Sequence, residues 1–170
     1  MAKSLQPGAN LPLPSGAELR IGIAWEPERP GSHEADASAF LLRKEDRVGG
    51  DADFVFYNNP RSACGSLTLN QGVGPERQAF HIRLGDLPGD VAKIAICLTL
   101  HGRGSFAQAR RIDLRIFDAA RTELMSFSPP TASMTEAALI LGEVYRRNDQ
   151  WKFRAVGQGF TDGLGPLATH

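Results

Sequence analysis

The chain has 170 residues, 42% of them hydrophobic and 22% charged, with 19 Lys+Arg against 19 Asp+Glu. That length suits a single domain, residues 1–170, and the apolar share supports a packed core and argues against a disordered chain. The zero net charge lacks the basic excess of a general nucleic-acid-binding protein and gives no basis for electrostatic docking on an acidic membrane.

After Met1-Ala2-Lys3 comes Ser4-Leu5-Gln6-Pro7-Gly8, with no apolar core of an export signal, and no apolar stretch reaches the length of a membrane span. The expected location is therefore the cytoplasm, without membrane insertion. Cys64 and Cys97 lie far apart and form no CxxC pair, so free thiols are expected in that reducing compartment.

Residues 1–18, rich in Pro and Gly, carry little periodicity and read as an extended lead-in. Leu19, Ile21, Ile23 and Trp25 alternate on one face of a half-buried strand. Glu26-Pro27-Glu28-Arg29-Pro30-Gly31-Ser32 reads as a loop, because two prolines and a glycine interrupt it. Strands are expected at 36–42 and 53–57, the latter closed by the turn sequence Asn58-Asn59-Pro60. Further strands are expected at 66–70, 78–84, 93–100, 112–118 and 123–127, most of them separated by Gly- and Pro-containing turns. Many short strands at this spacing predict an all-β fold, a two-sheet β-sandwich with short helical turns. Its core is expected to contain Ile21, Ile23, Trp25, Phe54, Phe56, Ile94, Ile96, Leu98, Trp151 and Phe153.

Residues 133–156 support two readings. Ser133-Met134-Thr135-Glu136 resembles a capping box before an apolar run, which predicts a helix over 137–147. Asn148-Asp149-Gln150 is instead a hairpin-like turn, and the alternation of 151–156 would pair with 137–147 in a long β-hairpin.

Several motifs in a shared order resemble the TerD family of tellurium-resistance and stress-response proteins. Leu5-Gln6-Pro7-Gly8-Ala9-Asn10 resembles its opening Leu-x-x-Gly-x-Asn. Asp36-Ala37-Ser38 is similar to the end of its Asp-x-Asp-Ala-Ser, and residues 53–59 to its Phe-Val-Phe-Phe-Asn-Asn block. Leu87-Pro88-Gly89-Asp90 matches the turn before its central strand. Leu141-Gly142-Glu143-Val144-Tyr145-Arg146, followed by Trp151-Lys152-Phe153-Arg154, is similar to its C-terminal signature. The resemblance implies a β-sandwich, with 137–147 as a strand. It also implies a role in resistance to tellurite and chemical stress, with calcium bound in several members and no established catalysis.

A calcium site would fall at Asp36 with Glu26, Glu34, Asn58 and Asn59, where hard oxygens from two strand ends and an Asx-rich turn meet on one rim. The bland alternative is turn chemistry at Asn58-Asn59-Pro60 and a local hydrogen bond at Asp36. Residues 64–77, where the family carries an acidic loop, hold one carboxylate, Glu76, beside Arg77. Calcium binding is thus expected to be weak or absent. The histidines, His33, His81, His101 and His170, show no zinc-ligand spacing. No G-x-S-x-G elbow or P-loop is present. Arg111, Asp113 and Arg115 are expected on a salt-bridged solvent face, and Gly157-Gln158-Gly159 at a bulge or close backbone approach. The leading expectation is a non-catalytic module acting through other stress-response proteins or self-association. The alternative is a small-ligand-binding or metal-dependent enzyme using the rim around Asp36 and Asn58-Asn59.

Overall fold

The computed structural model describes residues 3–13, 18–27, 35–43, 47–48, 54–56, 60–62, 65–72, 77–87, 89, 91–100, 109–129, 138–147 and 150–160. Its strands are β1 (Lys3–Leu5), β2 (Asn10–Pro12), β3 (Glu18–Pro27), β4 (Ala35–Arg43), β5 (Arg47–Val48), β6 (Phe54–Val55) and β7 (Leu67–Gln71). They continue with β8 (Gln78–Arg83), β9 (Lys93–Leu100), β10 (Ala109–Phe117), β11 (Glu123–Phe127), β12 (Ala138–Arg147) and β13 (Gln150–Phe160). One turn of 3-10 helix, Leu84–Asp86, follows β8.

Two sheets form from these strands. The first runs β1-β11-β10-β3-β8-β7, and the second runs β2-β13-β12-β9-β4-β5, with β6 also paired to β4. Their inner faces meet in one core. Leu19, Ile21 and Ile23 of β3, and Ile112, Leu114 and Ile116 of β10, meet Ile94, Ile96 and Leu98 of β9 and Val144 and Phe153 of the last hairpin. Each set follows the period of two that puts alternate side chains on one face of a pleated strand. Two sheets packed this way are the expected sandwich.

Residues 138–147 are a strand. β12 pairs with β13 from Ala138↔Phe160 to Arg147↔Gln150 and with β9 on its other side, so the hairpin of the C-terminal signature is a central pair of the second sheet. The register slips between Ile140 and Gly142, a bulge. Opposite it, Gly157 has φ +67, and a Cβ there would lie 3.2 Å from Phe127 Cζ and 3.3 Å from Pro129 Cβ. The glycine therefore serves both the left-handed backbone and the close approach.

Two expectations need correction, on residues 26–27 and on Phe54 and Phe56, and two further features were not anticipated. Glu26 and Pro27 are not loop: β3 runs to Pro27, which pairs with Ala109 on β10 where that ladder is already irregular. The lead-in contains two strands, β1 and β2, joined by a turn in which Ala9 N–H donates to Gln6 O at 2.9 Å. Pro7 and Gly8 are its central residues, and Gly8 takes φ +86, the arrangement of a type II turn. Phe54 and Phe56 are only half-buried, and Val55 between them fills the core instead. Phe54 stacks on Phe40 at 4.4 Å and on Phe56 at 4.6 Å, on the outer side of the second sheet. Phe40, Leu42, Ala95, Cys97 and Ile140 make a second, smaller apolar cluster there. Lastly, Glu143 pairs with Lys93 at 3.1 Å. Arg146 lies over the Trp151 ring at 4.6 Å and donates to Gly89 O.

Candidate functional site

The Asp36 face is set by the pleat of β4. Ala37, Ala39 and Leu41 point into the core, so Asp36, Ser38 and Phe40 point outward. Antiparallel pairing with β9 puts Asp36 opposite Thr99 and Ser38 opposite Cys97. Ser38 is 3% exposed. Both hydroxyls, Ser38 Oγ and Thr99 Oγ1, are buried without a hydrogen-bond partner. Such groups carry a desolvation cost that a bound water, ion or polar ligand would relieve.

A cross-sheet contact fixes the start of β4. Gln78 Oε1, from β8 of the other sheet, accepts the Ala37 N–H at 2.7 Å. Next to it, Arg77 donates from Nε to Trp25 O at 3.0 Å and lies 5.5 Å from the Trp25 ring centre. The Arg77 charge is thus held on the rim where β3 ends. On the neighbouring strand, Arg111 and Asp113 form an ion pair at 2.7 Å, and Arg115 meets Glu123 at 3.6 Å. Ser128 Oγ also donates to Asp113. That is the salt-bridged solvent face expected for β10.

Of the anticipated site residues, Asp36 stands on the outer face of β4. Glu26 lies in β3, where its backbone pairs with Arg111. Glu34, Asn58 and Asn59 fall outside the described residues. Calcium takes about six to eight oxygens, several from carboxylates. The described part of this face brings one carboxylate, Asp36, and the hydroxyls of Ser38 and Thr99. That set falls short of a calcium shell. Among the described residues, no group of three or more His, Cys, Asp or Glu side chains comes together.

The sequence reading missed Ser38, Thr99 and Gln78. Ser38 was accessible in principle, being two residues from Asp36 on a strand. Thr99 and Gln78 reach the face only through strand pairing and sheet packing. Cys97, beside Ser38, is a free, fully buried thiol. Burial pushes its pKa up, and the Glu143 carboxylate adds to the shift.

Two packed sheets with a polar face at one rim define the class, an all-β sandwich. The chain belongs to the TerD family: the TerD domain profile matches residues 1–170. It is 39% identical to the tellurium resistance protein TerD of Alcaligenes sp. over 98% of this chain and 95% of that one. It is 37% identical to TerD of Serratia marcescens with the same coverage. In fold it is similar to a crystal structure of a TerD homologue from Streptomyces coelicolor A3(2), with a TM-score of 0.69 over 91% of this chain and 96% of that one at 16% identity. Among the described residues no helix is long and apolar enough to cross a membrane.

Proposed function

We propose that this protein is a non-catalytic, cytoplasmic module of resistance to tellurite and chemical stress that acts through protein partners, with a calcium site that is weak or lost. Whole-length membership of the TerD family carries this reading, since relatives it matches end to end include two named for tellurium resistance and one named as a general stress protein. The makeup of the Asp36 face supports the calcium part. Among the described residues it brings one carboxylate and two neutral hydroxyls, a poor electrostatic match for a divalent ion.

The test is affinity capture of partners from native cytosol, with and without calcium. Partners captured equally under both conditions would support the reading. No partner in either condition would count against it. A thermal-shift screen over divalent metals, nucleotides and oxyanions runs beside it, because a ligand that binds only the folded state must raise apparent stability. The two unpartnered hydroxyls keep one alternative in play, a small-ligand-binding protein or metal-dependent enzyme at this rim. A large shift with an organic ligand would favour it.

A further inference from the structure

The N-terminal arm, residues 3–13, belongs to both sheets at once. β1 runs parallel to β11 in the first sheet through Lys3↔Met125, Ser4↔Ser126 and Leu5↔Phe127. β2 runs antiparallel to β13 in the second through Asn10↔Arg154, Leu11↔Phe153 and Pro12↔Lys152. Between them the arm crosses the seam of the sandwich. Gly8 N–H donates to Ala155 O at 2.7 Å, Ala155 N–H donates to Ala9 O at 2.9 Å, and Leu13 N–H donates to Trp151 O at 2.9 Å. Leu5 and Leu13 are its buried anchors, while Ser4, Gln6, Pro7, Asn10 and Pro12 are exposed.

We propose that this seam is a strand-acceptor slot that takes the arm of a second copy of the chain, so that two copies associate by exchanging residues 3–13. The inference deepens the reading of a module working through protein contacts, and rests on it only in naming self-association as one such contact.

Four observations support it. Each sheet holds the arm by three residue pairs, and one set is parallel, the weaker arrangement per residue. The arm's own bend is local, closed by the Ala9 to Gln6 hydrogen bond around Pro7-Gly8, so that bond travels with the arm when it exchanges. Without the arm, β11 and β13 become open edges at the same end of both sheets, the kind of edge that recruits another strand. In sequence, only Pro14-Ser15-Gly16-Ala17 separate Leu13 from β3, and prolines at 12 and 14 restrict the backbone there. A short, proline-containing link in the sequence is of the kind that invites exchange of an arm between copies. Every contact made within one chain is reproduced between two, so exchange loses no arm contacts.

Ser4 and Ser126, partners across the arm and slot, provide the test in the full-length chain with Cys64→Ser as background. Ser4→Cys and Ser126→Cys are made in separate proteins, mixed at high concentration, then oxidised. The expected result is a covalent dimer at least several-fold above that formed by Ser4→Cys with Asn70→Cys, since Asn70 is exposed on β7 at the far edge of the same sheet. A single chain carrying both Ser4→Cys and Ser126→Cys should close internally when dilute and link into dimers when concentrated. Internal closure at every concentration, with the mixed pair no higher than the Asn70 control, overturns the proposal. So does failure of the double variant to close at all. Neither result bears on partner capture from cytosol, so the two readings fail separately.

Discussion

A Cβ at Gly142 would stand 2.3 Å from Phe153 Cζ and 2.9 Å from the Arg154 carbonyl oxygen. Phe153 is fully buried and occupies the space that any other residue at 142 would need, across the central hairpin beside the β12 bulge. The Leu-Gly-Glu of the C-terminal signature thus has a packing cause. Gly142→Ala is expected to destabilise the protein by about 1–3 kcal/mol, because backbone on one side and a buried ring on the other leave no room to yield. Denaturant unfolding with an unchanged m-value checks it; a loss near zero would mean the ring can move aside.

Truncating Phe153 and Phe56 should separate the two faces of the second sheet. Phe153→Ala removes a fully buried ring and is expected to cost about 3–5 kcal/mol. Phe56→Ala removes a half-buried ring stacked on Phe54 and is expected to cost clearly less. Equal losses in the same unfolding assay would show that the outer cluster bears as much stability as the interior.

Cys97 should be inert in the native state and should make stability fall at alkaline pH. Its folded pKa is raised above its ordinary value of 9.0, so the folded state keeps the proton while the unfolded state releases it. The stabilisation is present below about pH 9 and is lost as pH rises further, by about 1.4 kcal/mol per pH unit for one proton. Comparing the wild type with Cys97→Ala between pH 8 and pH 10 (roughly one unit either side of the ordinary value) isolates this contribution. Parallel slopes for the two proteins would remove it. Peptide mapping after native alkylation should leave Cys97 unlabelled.

Calorimetry of metal-stripped protein should show calcium binding no tighter than roughly 10⁻⁴–10⁻³ M, the range of sites with few carboxylates. Asp36→Ala should abolish whatever heat remains. Micromolar binding would mean that oxygens beyond Asp36, backbone carbonyls among them, complete the shell.

Much of the sandwich was legible in the residues. Lys93–Leu100 and Glu123–Phe127 alternate so regularly that their bounds follow from pattern alone, and the structure has the same ones. The final hairpin was not legible this way. Its first strand, Ala138-Leu139-Ile140-Leu141, is apolar on both faces because it is covered on both, Leu139 and Leu141 by the core and Ile140 by the outer cluster. A continuous apolar run carries no period, so strand and helix could be separated only through the family resemblance.

Composition, charge and alternation by themselves determined an all-β chain with most of its strands in place, and the position of Asp36 on one of them. The tertiary structure decided which face of each strand lies inside. An alternating pattern is symmetric under a one-residue slip, so Phe54-Val55-Phe56 reads equally well either way; the pairing of Phe54 with Phe40 across β4 turns both rings outward. It also decided the surroundings of Asp36 and the place of the N-terminal arm. Thr99 meets Asp36 across a strand pair separated by more than sixty residues of sequence. Strands of three residues, such as β1 and β2, are too short to show a period, and their stability comes from the edges they cover.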